Sequence, residues 1–505
     1  MRLAALAALS LALAGCSTTA PAGNVNVALV TANGDNPLVG RTIDRVRVSF
    51  RQGSEAFDAV EGTVNGQSFD VVVPIADYLT AMELRYELYE GSTLVLLGAT
   101  PFLYPGSGAA TRAVVAPPTS CVLVSIPTVG TTAPSVFPRP QADFGTLFLS
   151  DYAFLLGGRD ATGPTNRVDY LDAISLAPAE YGAAALPMAP GKTRAVPISL
   201  RQGLVVSESD APFLFDAYGP YHGAISLHAG AGLASELVVL GSSVGAAVVG
   251  GSSQGQPVSD VSFVATDGTV TTGHLSTAVA ERAAALAGGA VLVVSRGTGD
   301  AVLERIAPGE TASTVLLPAI ADGTRNGGIL LASTDGSTLL LLGGTDGVGA
   351  PRTDSVLFTG CPTSCVAGPG PTWATARTGA AVDPSGLLVG GAGPSALVEQ
   401  VVFASGGASL VARGTLAAPR ANPGLVVLPS GVAYVLAGEG TSGPRADWEN
   451  CVPTGFVDCL RSGPRAARRA RRPRAPVRRS ADRACRCARD PCSRRAACGA
   501  RSASR

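Results

Sequence analysis

The sequence predicts an all-β protein, and two observations support this prediction. The 505 residues include 62 glycines and 36 prolines but only 15% charged residues, which favours short strands joined by many turns over long amphipathic helices. In addition, an apolar run that ends in two glycines recurs along the chain. With 46% hydrophobic residues, the chain can bury the cores of two or three domains.

The N-terminus has the features of an export signal. One positive charge precedes an apolar stretch from Leu3 to Ala14, and LAGC follows at Leu13–Cys16. The stretch is too short to span a bilayer permanently, and its small residues suit a signal peptidase. LAGC resembles the bacterial lipobox, which implies cleavage before Cys16 and lipidation of its thiol. The alternative is an ordinary signal peptide with a chance cysteine. By the same resemblance, Ser17 implies an outer-membrane lipoprotein facing the periplasm or the cell surface, with residues 17–23 as a flexible tether.

Residues 24–125 contain seven short runs with alternating polarity: NVNVALV, DRVRVSF, AVEGTVN, SFDVVVP, MELRYELYE, STLVLLG and TRAVVAP. Alternation of this kind is typical of a sheet with one face exposed to water. Seven strands at this spacing predict a β-sandwich of immunoglobulin-like type. The proline-rich residues 126–141 that follow predict a linker.

The remaining folded part of the chain, residues 142–460, carries the repeat. The double glycines are Gly157-Gly158, Gly250-Gly251, Gly343-Gly344 and Gly390-Gly391, whose first members lie 93, 93 and 47 residues apart. Degenerate copies at Ser207, Ser295 and Ala437 bring the total to seven units, with a mean spacing of about 47 residues between anchors. Each unit contains four β-prone runs, which is the size of one propeller blade. The sequence therefore predicts a seven-bladed β-propeller.

These units resemble the kelch-repeat family. LLVGG preceded by ARTGAAV, and VVGG followed by VSDVSF, are the best matches, because kelch units have a strand closed by a double glycine, an Asp-Val-aromatic strand and an arginine ahead of the next unit. Ser207-Glu208 and Ser295-Arg296 replace the double glycine, and the tryptophan expected later in each unit is mostly missing. The resemblance implies the propeller architecture. If the seventh blade lacks its last strand, the run SCVLVSIPT near the linker is a candidate to close the ring.

A nucleotide site is the alternative explanation of the double glycines. In a phosphate-binding loop, glycines are followed by Gly-Lys-Ser/Thr at a set spacing, and in a dinucleotide fold they open a helix. Residues 345–358 offer neither pattern. The glycines instead predict close backbone approach at the end of a strand.

The C-terminal residues 461–505 differ in composition from the rest. They contain 16 arginines and two aspartates, a charge of +14, which leaves −14 for residues 1–460. A segment almost without large aliphatic residues cannot form a core. It is interpreted as out-of-frame translation of a GC-rich gene, with a disordered tail or a basic arm for nucleic acid or lipid as alternatives. The preferred interpretation expects no nucleic-acid partner.

The ten cysteines divide into Cys16, Cys121, four in the tail and two local pairs. In an exported protein the pairs Cys361/Cys365 and Cys451/Cys459 predict disulfides, with metal binding and free thiols as alternatives. A zinc site would need nearby histidines, and the chain has only His222, His228 and His274. No metal or cofactor is predicted.

No catalytic constellation is visible. Two of the three histidines could meet at one rim, but their spacing fits no helical ligand pair. Four acids near strand ends, Glu208, Asp210, Asp216 and Asp260, are expected to be turn residues. The sequence therefore predicts a lipid-anchored cell-envelope scaffold that binds a protein or a glycan. The alternative is an envelope carbohydrate-active enzyme, mutarotase- or lyase-like, that uses the propeller channel.

Overall fold

The computed structural model shows an all-β protein with a seven-bladed propeller, which confirms the predicted class. The structure describes residues 22–23, 27–52, 55–70, 73–74, 82–103, 111–126, 136–181, 186, 191–208, 211–241, 245–278, 281–296, 300–320, 325–346, 348–373, 376–391, 393, 395–428 and 430–452. Every regular element among them is a strand. In this part of the chain, no helix is capable of crossing a membrane. The lipobox at Cys16 and the tail at 461–505 lie outside the described residues and stay predictions.

Seven four-stranded antiparallel sheets form the blades. Blades 1 to 3 contain Gly145–Leu149, Tyr152–Leu156, Val168–Asp172 and Ala177–Glu180; Thr193–Pro197, Gln202–Ser207, Phe213–Asp216 and Gly219–Ala224; and Glu236–Gly241, Gly245–Val249, Asp260–Val264 and Val270–His274. Blades 4 and 5 contain Glu281–Ala287, Ala290–Arg296, Ala301–Ile306 and Thr314–Ile320; and Ile329–Ala332, Thr338–Leu342, Ser355–Thr359 and Val366–Pro369. Blade 6 contains Ala381–Val382, Leu387–Val389, Ser395–Ala404 and Gly407–Arg420.

The ring closes in blade 7 with a strand from the N-terminal side. Its first three strands are Gly424–Val427, Ala433–Leu436 and Trp448–Cys451, and its outermost strand is Cys121–Leu123. Cys121 pairs with Cys451 across this antiparallel ladder, and a disulfide joins the two. The predicted closing strand is therefore confirmed, and it removes an edge that would otherwise be open.

The repeat predicts the blades well. Six of the seven anchors lie at or directly after the end of the second strand of a blade, and Ser295 is the last residue but one of its strand, Ala290–Arg296. The first strands of neighbouring blades contact each other from blade 1 to blade 5, between blades 6 and 7, and between blades 7 and 1, so the first strands surround the central axis. Because successive strands alternate in direction, each second-to-third-strand loop lies at one end of the ring, here called the glycine face. The first-to-second and third-to-fourth turns lie at the other end, the turn face.

The N-terminal segment forms one sheet of seven strands. Their order is Val27–Val30, Thr111–Ala116, Thr93–Leu103, Met82–Glu90, Arg45–Gln52, Glu55–Asn65 and Ser68–Asp70, with the first pair parallel. A separate short pair joins Ala22–Gly23 and Val73–Pro74. The two facing sheets of the predicted immunoglobulin-like sandwich are not found in the described residues.

The physical reason for this correction is that the propeller covers part of the sheet. Val46, Val48 and Leu84 lie in the core of the N-terminal sheet itself. Leu97 and Val114, from neighbouring strands, share a buried cluster with blades 1 and 7. A hydrogen bond of 2.9 Å from the Ser430 amide to Glu83 Oε1 also crosses this contact.

Candidate functional site

The double glycines have a structural role on the glycine face. All eight residues of the four predicted pairs have positive φ. A Cβ at Gly158 would lie 2.4 Å from the Ala142 carbonyl oxygen, and one at Gly251 would lie 2.0 Å from that of Gly230. Only glycine allows these strand ends to approach the backbone of the preceding connection. The geometry agrees with the close-approach interpretation of these residues.

A matched pair of substitutions tests this role. We expect Gly158→Ala to lower the free energy of unfolding by about 3 kcal/mol, because it adds a backbone clash to an unfavourable φ of +81°. Gly255 is the control: its φ is +77°, but a Cβ there would contact nothing within 4 Å, so Gly255→Ala should cost only about 1 kcal/mol. Denaturant unfolding of both variants measures the difference, and equal costs would contradict the close-approach argument.

The arginines that precede the anchors clamp the blades. Arg325 donates to the Gly343 and Asp354 carbonyl oxygens at 3.2 and 2.9 Å. Arg377 makes the corresponding bond to Gly390 and an ion pair with Glu399, and Arg420 bonds to Ala437. These guanidinium groups are buried. These guanidinium groups therefore bind the ends of the second and third strands of their blades to each other.

The histidines form two separate local hydrogen-bonding arrangements on blade 3. His228 Nδ1 lies 2.8 Å from Ser262 Oγ and its Nε2 lies 2.9 Å from the Gly250 carbonyl oxygen, and burial lowers the pKa of His228. His274 Nδ1 lies 2.5 Å from Asp260 Oδ1. His222 lies in a strand, and its side chain is outside the described residues. Among described residues, no three His, Cys, Asp or Glu side chains are placed to hold a metal ion.

The other candidate acids are engaged or outside the described residues. Glu208 is an exposed residue whose Oε2 accepts a 3.3 Å hydrogen bond from the Lys192 amide. Asp210 is not among the described residues. Burial alone would raise the pKa of Asp216, but hydrogen bonds from Arg201, the Tyr218 amide and Gln202 outweigh it and lower the pKa. Asp216 and Asp260 therefore serve as local partners of Arg201 and His274.

Both predicted regions of disulfide bonding contain a disulfide, with one change of partner. Cys361 and Cys365 are joined as predicted. Cys451 is bonded to Cys121 and not to Cys459, which lies outside the described residues. The prediction failed because it paired cysteines close in sequence, whereas ring closure brings together two residues that are 330 positions apart.

An aromatic cluster between blades 1 and 2 was missed by the sequence analysis. Tyr152 packs edge-on to Tyr170 at 5.3 Å between ring centroids, and Phe154 packs against Phe215 at 5.0 Å. Tyr181 covers the cluster and donates a 2.8 Å hydrogen bond to the Ala217 carbonyl oxygen. The available signal was tyrosine density, since five of the ten tyrosines fall between residues 152 and 221.

The cluster meets solvent on the turn face, where Leu200, Arg201 and Tyr218 form what we call the turn-face patch. Leu200 is 68% exposed and Tyr218 is 59% exposed. The Arg201 guanidinium carbon lies 5.4 Å from the centroid of the Tyr218 ring, and its Nε donates to both oxygens of Asp216 at 2.8 and 2.9 Å. Exposed apolar side chains beside a fixed cation are typical of a ligand or partner surface.

Asp151 lies next to this patch, in the first turn of blade 1. It is 7% exposed, and its Oδ1 is buried with no hydrogen-bond partner in the described part of the chain. Burial, together with the neighbouring Asp172, raises the pKa of Asp151 to about 7. Burial and several neighbours, among them Asp151 and Tyr218, also raise the pKa of Tyr152, so Tyr152 lies within electrostatic reach of both residues.

The raised pKa of Asp151 predicts that stability falls as pH rises. The folded chain keeps this proton up to about pH 7, whereas the unfolded chain releases it near its ordinary pKa of 3.8, so unfolding becomes easier between those values. We therefore expect the free energy of unfolding of Asp151→Asn, relative to that of the wild type, to increase by about 2 kcal/mol between pH 4.5 and pH 8.

Asp216→Asn is the control for this measurement. The pKa of Asp216 is lowered, so its contribution is lost only at more acidic pH. Its difference from the wild type should stay constant between pH 5 and pH 8 in the same unfolding series. A pH-independent difference for Asp151→Asn would contradict the assignment.

Comparison with known proteins identifies no family. No protein-family model matches the chain, and no curated protein matches it. Among solved structures, one titled "Structure of YjhT" aligns with a TM-score of 0.37 and 12% identity, covering 63% of this chain and 94% of that one. The evidence for seven blades is the strand pairing of the chain itself.

Proposed function

We propose that this chain is an exported, lipid-anchored cell-envelope protein whose kelch-like propeller binds a protein or glycan partner. The turn-face patch is the observation that carries the binding role, because it places an exposed aromatic, an exposed leucine and a cation on a closed ring. The two disulfides support export, since such bonds persist in oxidising compartments. The LAGC sequence at Leu13–Cys16 supports the lipid anchor.

The state of the other candidate residues favours binding over catalysis in the channel. Among the described residues, His228, His274, Asp216 and Asp260 all hold local hydrogen bonds. The buried arginines are committed to strand ends within the blades. A catalytic site needs an acid, a base or a nucleophile aimed at a substrate position.

A carbohydrate-active enzyme is the second candidate function, and one observation favours it. Asp151 has a pKa of about 7, which suits a general acid at neutral pH. This residue lies on the turn face, in the first turn of blade 1.

The anchor is tested with the full chain expressed in a bacterial cell with an outer membrane. We expect the wild type to fractionate with the membrane and to incorporate a radiolabelled fatty acid, whereas Cys16→Ser incorporates no label and leaves the membrane. Cys361→Ser/Cys365→Ser, which leaves the lipobox and the ring-closing disulfide intact, is the control for loss of cysteines. Equal labelling of the wild type and Cys16→Ser would contradict lipidation.

The binding role is tested by crosslinking in the intact envelope of the same cells. The captured material is analysed for both proteins and polysaccharides. We expect a partner that is recovered with the wild type and reduced when Tyr218 is replaced by alanine. Failure to capture any partner in repeated experiments would contradict the binding proposal.

A further inference from the structure

The turn-face patch has the exposure of a recognition surface. Tyr218 is the one aromatic side chain among the large exposed apolar residues in the described part of the chain. It lies in the turn between the third and fourth strands of blade 2, and Leu200 lies in the turn between the first and second. An exposed aromatic ring and an exposed leucine on neighbouring turns gain free energy when a ligand covers them, which makes the patch a candidate recognition surface.

Free polar groups surround these apolar side chains. Arg201 binds Asp216 through Nε, and its two terminal nitrogens have no partner among the described residues. The Asp151 side chain accepts no hydrogen bond within that part of the chain, and its buried Oδ1 is without a partner there. The patch therefore offers guanidinium donors and a carboxyl group around an apolar ring.

Backbone hydrogen bonds hold these parts in fixed positions. The Ser150 amide donates to the Leu200 carbonyl oxygen at 2.8 Å, which ties the turn beside Asp151 to blade 2. The Ala217 amide donates to the Arg201 carbonyl oxygen at 2.9 Å. A ligand that binds here does not have to order the loops first, and this preorganisation strengthens binding.

The size and chemistry of the patch favour a saccharide over a protein. A stable protein interface covers roughly 800 Å² on each partner and has an apolar core of many side chains. One tyrosine and one leucine fit one or two sugar rings instead. The apolar C–H face of a pyranose can stack on the Tyr218 ring, and its hydroxyl groups can pair with Arg201 and Asp151.

We propose that the turn-face patch of blade 2, together with Asp151 of blade 1, is a saccharide-binding site in which Tyr218 stacks on a sugar ring while Arg201 and Asp151 bind its hydroxyl groups. This inference rests on the proposed binding function and assigns it a ligand class. Leu200 lies beside the ring and bounds the apolar part of the site.

The test uses the purified full chain and oligosaccharides prepared by partial hydrolysis of envelope polysaccharide. Saturation-transfer NMR identifies the bound fraction, and calorimetric titration with that fraction gives Kd. We expect Tyr218→Ala to weaken binding at least about tenfold and Tyr218→Phe to stay within about threefold, because Phe retains the stacking ring. Arg201→Lys should weaken binding by about three- to tenfold, because a lysine cannot present two planar donors.

Val366→Ala is the control, because Val366 is 63% exposed but lies in blade 5. Its affinity should equal that of the wild type, and thermal unfolding should show that every variant is folded. An affinity of Tyr218→Ala within twofold of the wild type would overturn the site. If the envelope capture recovers only a protein, and Tyr218→Ala reduces it, the binding function stands and the saccharide assignment is wrong.

Discussion

Replacing Arg420 with alanine is expected to lower the free energy of unfolding by about 4 kcal/mol. Arg420 and Glu449 are both fully buried, and Arg420 Nη2 lies 2.6 Å from Glu449 Oε1. Removal of the arginine leaves a buried carboxylate without its cation, which typically costs roughly 3–5 kcal/mol. It also removes a 2.9 Å hydrogen bond to the Ala437 carbonyl oxygen at the anchor of blade 7.

The matched control for Arg420 is a half-buried ion pair. Arg305 Nη1 lies 2.9 Å from Glu310 Oε1, and their side chains are 30% and 40% exposed, so Arg305→Ala should cost less than about 1 kcal/mol. In the double variant Arg420→Ala/Glu449→Gln, part of the loss should return because no charge remains buried. Denaturant unfolding gives all three values. A loss for Arg420→Ala no larger than that for Arg305→Ala would contradict the clamp.

Removal of the ring-closing disulfide has the second large expected effect. Cys121 and Cys451 are 330 residues apart, so their bond constrains nearly the whole propeller in the unfolded chain. The chain-entropy relation gives a stabilisation of about 6 kcal/mol for a loop of this length, above the typical range of roughly 2–4 kcal/mol. We therefore expect the double variant Cys121→Ser/Cys451→Ser to unfold at a much lower denaturant concentration than the oxidised wild type.

The second disulfide provides the control for ring closure. Cys361 and Cys365 are only 4 residues apart, so Cys361→Ser/Cys365→Ser should cost about 2 kcal/mol by the same relation. A reducing agent should destabilise this variant strongly, because it breaks the ring-closing bond, and should cost Cys121→Ser/Cys451→Ser only about 2 kcal/mol. Equal losses for the two double variants would show that the long-range bond does not constrain the ring.

The repeat could be predicted from sequence because its physical requirement is local. A strand end that meets a neighbouring backbone excludes a Cβ, so Gly158 and Gly251 mark blades directly. The third strands of the blades and the arginines that precede the anchors recur with the same spacing. Even the degenerate anchors Ser207 and Ser295 lie at the ends of second strands, because strand length and turn spacing persist there.

Features that depend on distant parts of the chain could not be predicted in the same way. Alternating polarity shows that a sheet face is covered, but it does not show that the propeller, rather than a second sheet, covers Leu97 and Val114. The partner of Cys451 could not be predicted because Cys121 precedes it by 330 residues, a separation that spans nearly the whole propeller. The turn-face patch joins two turns of blade 2 that are separated in sequence, and Asp151, beside it in blade 1, becomes unusual only when burial raises its pKa.

The most direct test of the central claim is to follow the bound oligosaccharide by NMR in the presence of the full chain at pH 7. The account predicts saturation transfer to the sugar protons, loss of that transfer with Tyr218→Ala, and no change in the sugar's covalent structure or anomeric exchange rate over hours. Conversion of the sugar at a rate proportional to protein concentration, abolished by Asp151→Asn, would contradict a binding scaffold and establish the carbohydrate-active enzyme.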